Sequence, residues 1–67
     1  MRVPLTPRQQ QIVPMVADGL TYRQIGIRLG IAPGTVRQHI TLLVNRLPYP
    51  HLRPKDRIVR YHSGKED

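Results

Sequence analysis

Apolar residues recur at helical spacing along much of the chain, and the clearest run is Val36, Ile40, Leu43 and Leu47. Intervals of four, three and four residues place these side chains on one side of a helix, which predicts a single buried stripe. Pro33 suits the first turn of such a helix, and Pro48 disfavours helical geometry in the residue before it. We therefore expect a helix over about residues 33–46.

A second helix is expected immediately upstream, over about residues 22–29. Thr21 and Gln24 have the spacing of a capping box, in which two side chains satisfy backbone N–H groups at a helix start. Ile25 and Leu29 lie four residues apart on one face, and Gly30 suits the left-handed conformation that often ends a helix. Two helices joined by so short a turn predict a helix-turn-helix.

Two further helices are expected on either side of this pair. Thr6 and Pro7 favour a start for a helix over about residues 7–18, in which Pro14 should cause a kink or a split into two turns. Pro54 favours the start of a helix over about residues 54–61. The expected fold is therefore all-α, with four helices in a single domain over residues 1–67.

The charge distribution favours a polyanionic partner. The chain has 11 Lys+Arg against 4 Asp+Glu, a formal net charge of +7, and no acid lies between Gly19 and Lys55. A membrane surface is disfavoured because the basic residues are spread over several short segments. No apolar run approaches the roughly 20 residues that span a bilayer, and no signal peptide is visible. We expect an intracellular, cytoplasmic protein.

Catalytic and metal-binding patterns are missing from the sequence. There is no Cys, no pair of carboxylates in the acid-free middle and no phosphate-binding loop, and His39, His51 and His62 are far apart. We therefore expect no enzymatic activity, no cofactor and no metal.

The third helix carries the candidate DNA-reading residues. Arg37, Gln38 and Thr41 fall on its outward side, where Arg can pair with guanine and Gln with adenine. Contacts to DNA phosphates, which fix position without reading sequence, are expected from another set. That set is Thr21, Tyr22, Arg23, Thr35 and Arg46. The alternative interpretation is an ordinary solvated helix face.

Residues 5–47 resemble the LuxR-type (GerE-like) helix-turn-helix domain, in its stand-alone form. The positions that carry the resemblance are Leu5-Thr6 with Arg8, Gly19-Leu20-Thr21, Ile25, Leu29-Gly30-Ile31, Thr35-Val36, His39-Ile40 and Leu47. The resemblance implies a four-helix domain that binds DNA through its third helix and regulates transcription. It also places Arg37, Gln38 and Thr41 at base-reading positions.

The resemblance further implies a homodimer formed through the fourth helix. The candidate contacts are Leu52, Ile58, Val59 and Tyr61. The chain departs from the family pattern at Gln9, Gln11 and Gln24, where Glu is usual, and we expect stronger but less discriminating attraction to phosphates as a result. It departs again at Ala32, where a Ser-type helix cap is usual.

Two other functions fit the same fold. One is a small adaptor that binds RNA polymerase through a surface resembling sigma region 4. The other is a DNA-packaging module resembling a terminase small subunit. The basic third helix favours direct contact with double-stranded DNA over a pure adaptor, but it does not separate regulation from packaging.

Overall fold

The computed structural model describes residues 4–64, which form four α-helices and, within that range, no strand. The helices are α1 (Pro7–Ala17), α2 (Tyr22–Leu29), α3 (Pro33–Arg46) and α4 (Pro54–Gly64). The expected all-α class is confirmed, and α2 and α3 have the expected bounds. α4 ends at Gly64 instead of near residue 61, since half-buried Tyr61 and His62 hold its last turn against the rest of the chain. The small, polar and charged residues 62–67 predicted a frayed end, which is wrong for residues 62–64, since they form the last turn of α4. Residues 65–67 lie outside the described residues.

Both of the first two helices begin with a complete capping box. At α1, the Thr6 hydroxyl accepts from the Gln9 N–H at 3.1 Å, and the Gln9 Oε1 accepts from the Thr6 N–H at 2.9 Å. Thr21 and Gln24 repeat the arrangement at α2, with distances of 3.1 and 2.8 Å. Gln9 is only 3% exposed. A neutral amide suits that position because burial of a carboxylate would carry a large desolvation cost.

Pro14 does not divide α1, which runs as one helix from Pro7 to Ala17. The expected split into two turns is therefore wrong, and the alternative expectation of a kink at Pro14 stays a prediction. Proline cannot donate a hydrogen bond to the Gln10 carbonyl, and its ring crowds that carbonyl, but the Pro14 carbonyl still accepts from the Asp18 N–H at 2.9 Å. Side chains before and after Pro14, including Ile12 and Val16, are buried in the core and hold both halves of the helix in place.

One apolar core joins the four helices. α1 packs most extensively against α4 and α2 against α3, while α3 also contacts α1 and α4. The buried apolar side chains are Leu5, Ile12, Val13, Val16, Ile25, Val36, Ile40, Leu43, Val44, Leu47 and Ile58. Because α3 contributes residues along most of its length, its orientation is fixed by the packing of the whole domain.

The connector between α3 and α4, residues 48–53, is held by side chains of α4. The Arg57 guanidinium donates from Nε to the Leu52 carbonyl at 2.8 Å and from Nη2 to the Pro50 carbonyl at 2.9 Å. Arg60 lies over the Tyr49 ring, 5.4 Å from its centroid. Tyr49 itself has a φ of 70°, a left-handed conformation that non-glycine residues seldom adopt. The connector is therefore an ordered part of the fold, with two of the chain's arginines committed to it.

The angle between α2 and α3 depends on a close backbone approach at Gly26. A Cβ atom built on Gly26 would lie 2.5 Å from the carbonyl oxygen of Ile31, in the turn between the two helices. The same turn is closed by the Ile31 N–H, which donates to the Gly26 carbonyl at 2.9 Å, and by Gly30 with a φ of 71°. Glycine is thus required at this position by the backbone of the turn.

Gly26→Ala should destabilise the domain, although alanine is the better helix former. We expect the free energy of unfolding to fall by about 2 kcal/mol, because backbone atoms of the turn must move to admit the methyl group. Gly34→Ala is the matched control, since a Cβ there meets nothing within 4 Å. It should leave stability unchanged or raise it by up to about 1 kcal/mol. Urea denaturation followed by circular dichroism measures both, and equal effects would contradict the assigned contact.

Candidate nucleic-acid interface

The two sides of α3 differ sharply in burial. Val36, Ile40, Leu43 and Val44 are buried in the core. On the opposite side, Arg37, Gln38, Thr41 and Asn45 are exposed. This separation follows from the helical period, since residues three and four apart share a face. The helix is thus held in the core by one apolar stripe and exposes a mainly polar surface to solvent.

The three predicted base-reading residues lie together. Arg37, Gln38 and Thr41 line a shallow, open depression whose other members are Gly34 and Leu42. Gly34 has no side chain, and nothing would contact a Cβ atom there. Its backbone is therefore open to close approach by a ligand. We call these five residues the reading face.

Thr41 is restrained within the reading face. Its hydroxyl donates to the Arg37 carbonyl one turn earlier, at 3.0 Å. While that bond is made, the hydroxyl oxygen presents only acceptor lone pairs to a partner, together with the neighbouring methyl group. The free donors of the reading face are therefore concentrated on Arg37 and Gln38.

The start of α2 forms a separate polar site. Thr21, Tyr22 and Arg23 are exposed there. The capping box satisfies the N–H groups of Thr21 and Gln24. The N–H groups of Tyr22 and Arg23, in the first turn, have no acceptor within the helix. An anion is favoured at such a terminus, because unpaired donors and the positive end of the helix dipole coincide.

The structure brings the start of α4 next to the start of α2. Thr21 and Tyr22 line one groove with Pro54 and Lys55. Lys55 was not among the predicted phosphate contacts, because sequence spacing gives no sign that the two helix starts meet. It adds a cation beside the α2 terminus and extends the basic surface beyond the helix-turn-helix itself.

The remaining predicted phosphate contacts lie on α3. Thr35 is exposed in its first turn. Arg46 is exposed at its end, and its Nη1 donates to the Pro4 carbonyl at 3.0 Å. One N–H of this guanidinium therefore ties the N-terminal segment to α3, while its other donors remain. Neither residue lines the depression formed by the reading face.

The four candidate dimer residues do not form one exposed patch. Ile58 is 0% exposed and belongs to the core, so it is not available to a second chain, and its predicted role as a dimer contact is wrong. Its helical spacing predicted an apolar face on α4, and in the structure that face packs against the core of the same chain. Leu52 and Tyr61 are half-buried, and Val59 is 36% exposed.

Leu42 is the reading-face residue with a side chain that the sequence did not single out. It is 58% exposed, whereas its neighbours Leu43 and Val44 are 0% and 6% exposed. In the sequence, the exposure of Leu42 is indicated by its position outside the apolar stripe of Val36, Ile40 and Leu43. Residue type alone would have placed it in the core.

Comparison with known proteins identifies the family. The sequence profile described as "Bacterial regulatory proteins, luxR family" matches residues 3–53, which include α1, α2 and α3. The chain belongs to this family. The match confirms the LuxR-type helix-turn-helix that the sequence resembled.

Two curated relatives support the assignment. The chain is 39% identical over 63 residues to the transcriptional regulatory protein DesR of Bacillus subtilis, covering 94% of the chain and 29% of DesR. It is 37% identical over 46 residues to Rv0890c of Mycobacterium tuberculosis, an inferred HTH-type transcriptional regulator, covering 69% of the chain and 5% of that protein. The chain thus spans less than a third of the length of either relative. No solved structure matches significantly.

Two other kinds of site are absent from the described residues of this LuxR-type domain. Residues 4–64 hold no group of three His, Asp or Glu side chains placed to bind a metal ion. No helix in the same range has the length and apolar character needed to cross a membrane.

Gln24→Glu should weaken DNA binding without disturbing α2. The glutamate keeps the carbonyl-type oxygen that accepts from the Thr21 N–H, now 2.8 Å away, but it adds a negative charge where phosphate is expected. We expect affinity for random duplex to fall by about fivefold at low salt, and the difference to shrink as salt screens the charge.

Gln11→Glu is the control, because it makes the same change in net charge at an exposed position on α1. Fluorescence anisotropy at two salt concentrations gives both affinities. Equal losses in the two variants would assign the effect to net charge alone, and an unchanged affinity for Gln24→Glu would contradict a phosphate site at the start of α2.

Proposed function

We propose that this chain binds double-stranded DNA sequence-specifically, as the DNA-reading unit of a small transcriptional regulator. The observation that carries the proposal is the reading face of α3, where polar and basic side chains converge on one exposed surface. In a helix-turn-helix the second helix of the pair enters the major groove. Here that helix is α3, and its opposite side is committed to the core.

The donors of the reading face fit the edges of purine bases. Arg37 can donate two hydrogen bonds to the O6 and N7 atoms of guanine. Gln38, the next residue, can pair with the N6 and N7 atoms of adenine. Thr41 donates to the Arg37 carbonyl, so its oxygen is suited to accept from an amino group of cytosine or adenine. We propose these three side chains as the base contacts.

Phosphate contacts are proposed at the two helix starts that border one groove. The free N–H groups of Tyr22 and Arg23, the Thr21 hydroxyl and the Lys55 ammonium would hold one DNA strand beside α3. Thr35 and Arg46 would hold the backbone from the two ends of α3. Such contacts set the register of the helix in the groove and add salt dependence to the affinity.

Arg37→Ala should weaken binding to a preferred DNA sequence more than binding to random DNA. We expect a loss of about 1–3 kcal/mol on a selected duplex and little change on random duplex, because a bidentate contact to guanine is sequence-dependent. Arg23→Ala should weaken binding to both duplexes alike and reduce the salt slope by about one.

Anisotropy titrations at two salt concentrations test both variants, with Arg28→Ala as an exposed arginine outside the proposed contacts. A uniform loss for Arg37→Ala would contradict its role as a base reader. If the parent shows no salt-dependent binding to duplex DNA, the proposal fails, and an adaptor that binds RNA polymerase becomes the function to pursue.

A homodimer through α4 is proposed as the form that binds DNA. A dimer would present two α3 helices to major grooves about 34 Å apart, one turn of the duplex. Val59 is the exposed apolar residue of α4, and half-buried Leu52 and Tyr61 would border the contact. So small an apolar area favours a weak dimer that the DNA itself helps to assemble.

Val59→Glu should weaken association while leaving the fold intact, because the side chain is exposed. Sedimentation velocity with and without a duplex carrying two half-sites measures the change. Ile27→Glu is the matched control, since Ile27 is 73% exposed on α2. A parent that stays monomeric both free and on DNA would contradict the dimer, and an assembly much larger than a dimer would favour DNA packaging.

A further inference from the structure

Leu42 is an exposed aliphatic residue on a surface that is otherwise polar and basic. Its side chain is 58% exposed, and it lines the same depression as Arg37, Gln38 and Thr41. The core does not need it, since the stripe formed by Val36, Ile40, Leu43 and Val44 is complete without it.

The position of Leu42 on α3 places it directly beside Gln38. The two residues are four apart, so they are neighbours on the helix surface. At a rise of 1.5 Å per residue they are separated by about 6 Å along the axis. Base pairs in a duplex are about 3.4 Å apart. A helix that places Gln38 on one base pair therefore brings Leu42 within about two steps of it.

Only one kind of apolar group lies on the base edges of the major groove. That group is the C5-methyl of thymine, while the other base edges present hydrogen-bond donors and acceptors. The flanking Arg37 and the acid-free stretch from Leu20 to Pro54 favour a polyanion over an apolar protein surface as the occupant of this region. Thr41 adds no free donor to compete for a base, because its hydroxyl proton is directed to the Arg37 carbonyl.

We propose that Leu42 is a specificity-determining residue, which reads the C5-methyl group of a thymine near the base pair contacted by Gln38. The inference rests on the proposed function, since it requires α3 to enter the major groove. On this account Arg37, Gln38 and Thr41 form hydrogen bonds to bases, and Leu42 contacts a methyl group. Leu42 thus selects thymine over cytosine at one position, by contact and not by hydrogen bonding.

The test replaces thymine by deoxyuracil, which removes the methyl group and leaves base pairing intact. A duplex selected from a random pool by the parent protein is substituted at one thymine at a time. Affinities are measured for the parent, for Leu42→Ala and for Ile27→Ala, an exposed aliphatic residue on another helix. Circular dichroism melting verifies that each variant folds.

At one thymine, deoxyuracil should weaken binding by the parent about fourfold, the effect expected for one buried methyl group. The same substitution should cost Leu42→Ala nothing, while Ile27→Ala should behave as the parent. Two outcomes overturn the Leu42 proposal alone. One is a loss of affinity on deoxyuracil substitution that is equal for the parent and for Leu42→Ala. The other is a duplex that the parent prefers over random DNA but in which deoxyuracil at no thymine weakens binding. A parent with no preference among duplexes overturns the proposed function and this inference with it.

Discussion

The backbone contact between Gly26 and the turn that follows α2 is the constraint on which the geometry of this domain depends. A side chain at residue 26 would meet the Ile31 carbonyl at 2.5 Å, so only glycine lets the turn fold back so closely on α2. Because the turn is so close, Pro33, the first residue of α3, lies next to α2. The direction of α3 follows, because the buried stripe of α3 must then reach the same core as Ile25.

The packing of α3 decides which of its residues face solvent. Once Val36, Ile40 and Leu43 are buried, helical periodicity leaves Arg37 and Gln38 outside, with no acidic residue in this part of the chain to neutralise them. α1 and α4 pack against each other, and both contact α3. The core and the proposed DNA-binding surface are therefore two consequences of one helix orientation.

Features set by local sequence were predictable, and features set by distant contacts were not. Capping boxes and the period of α3 depend on residues three or four apart, and the structure has both. The continuity of α1 through Pro14 and the burial of Ile58 depend on helices that meet only in the folded chain. Leu42 was missed for the opposite reason, since an aliphatic residue signals burial unless its position on the helix is known. The reading face was thus largely predictable, but its apolar member was not.

Mapping the DNA contact by NMR tests the central claim most directly. Duplex DNA would be titrated into the ¹⁵N-labelled domain, and the amide shift changes would be followed along the chain. A DNA-binding surface on α3 predicts the largest changes at residues 34–42 and at the start of α2, with small changes along the outer side of α1. Changes centred on α1, or none at a concentration where DNA binds, would contradict it.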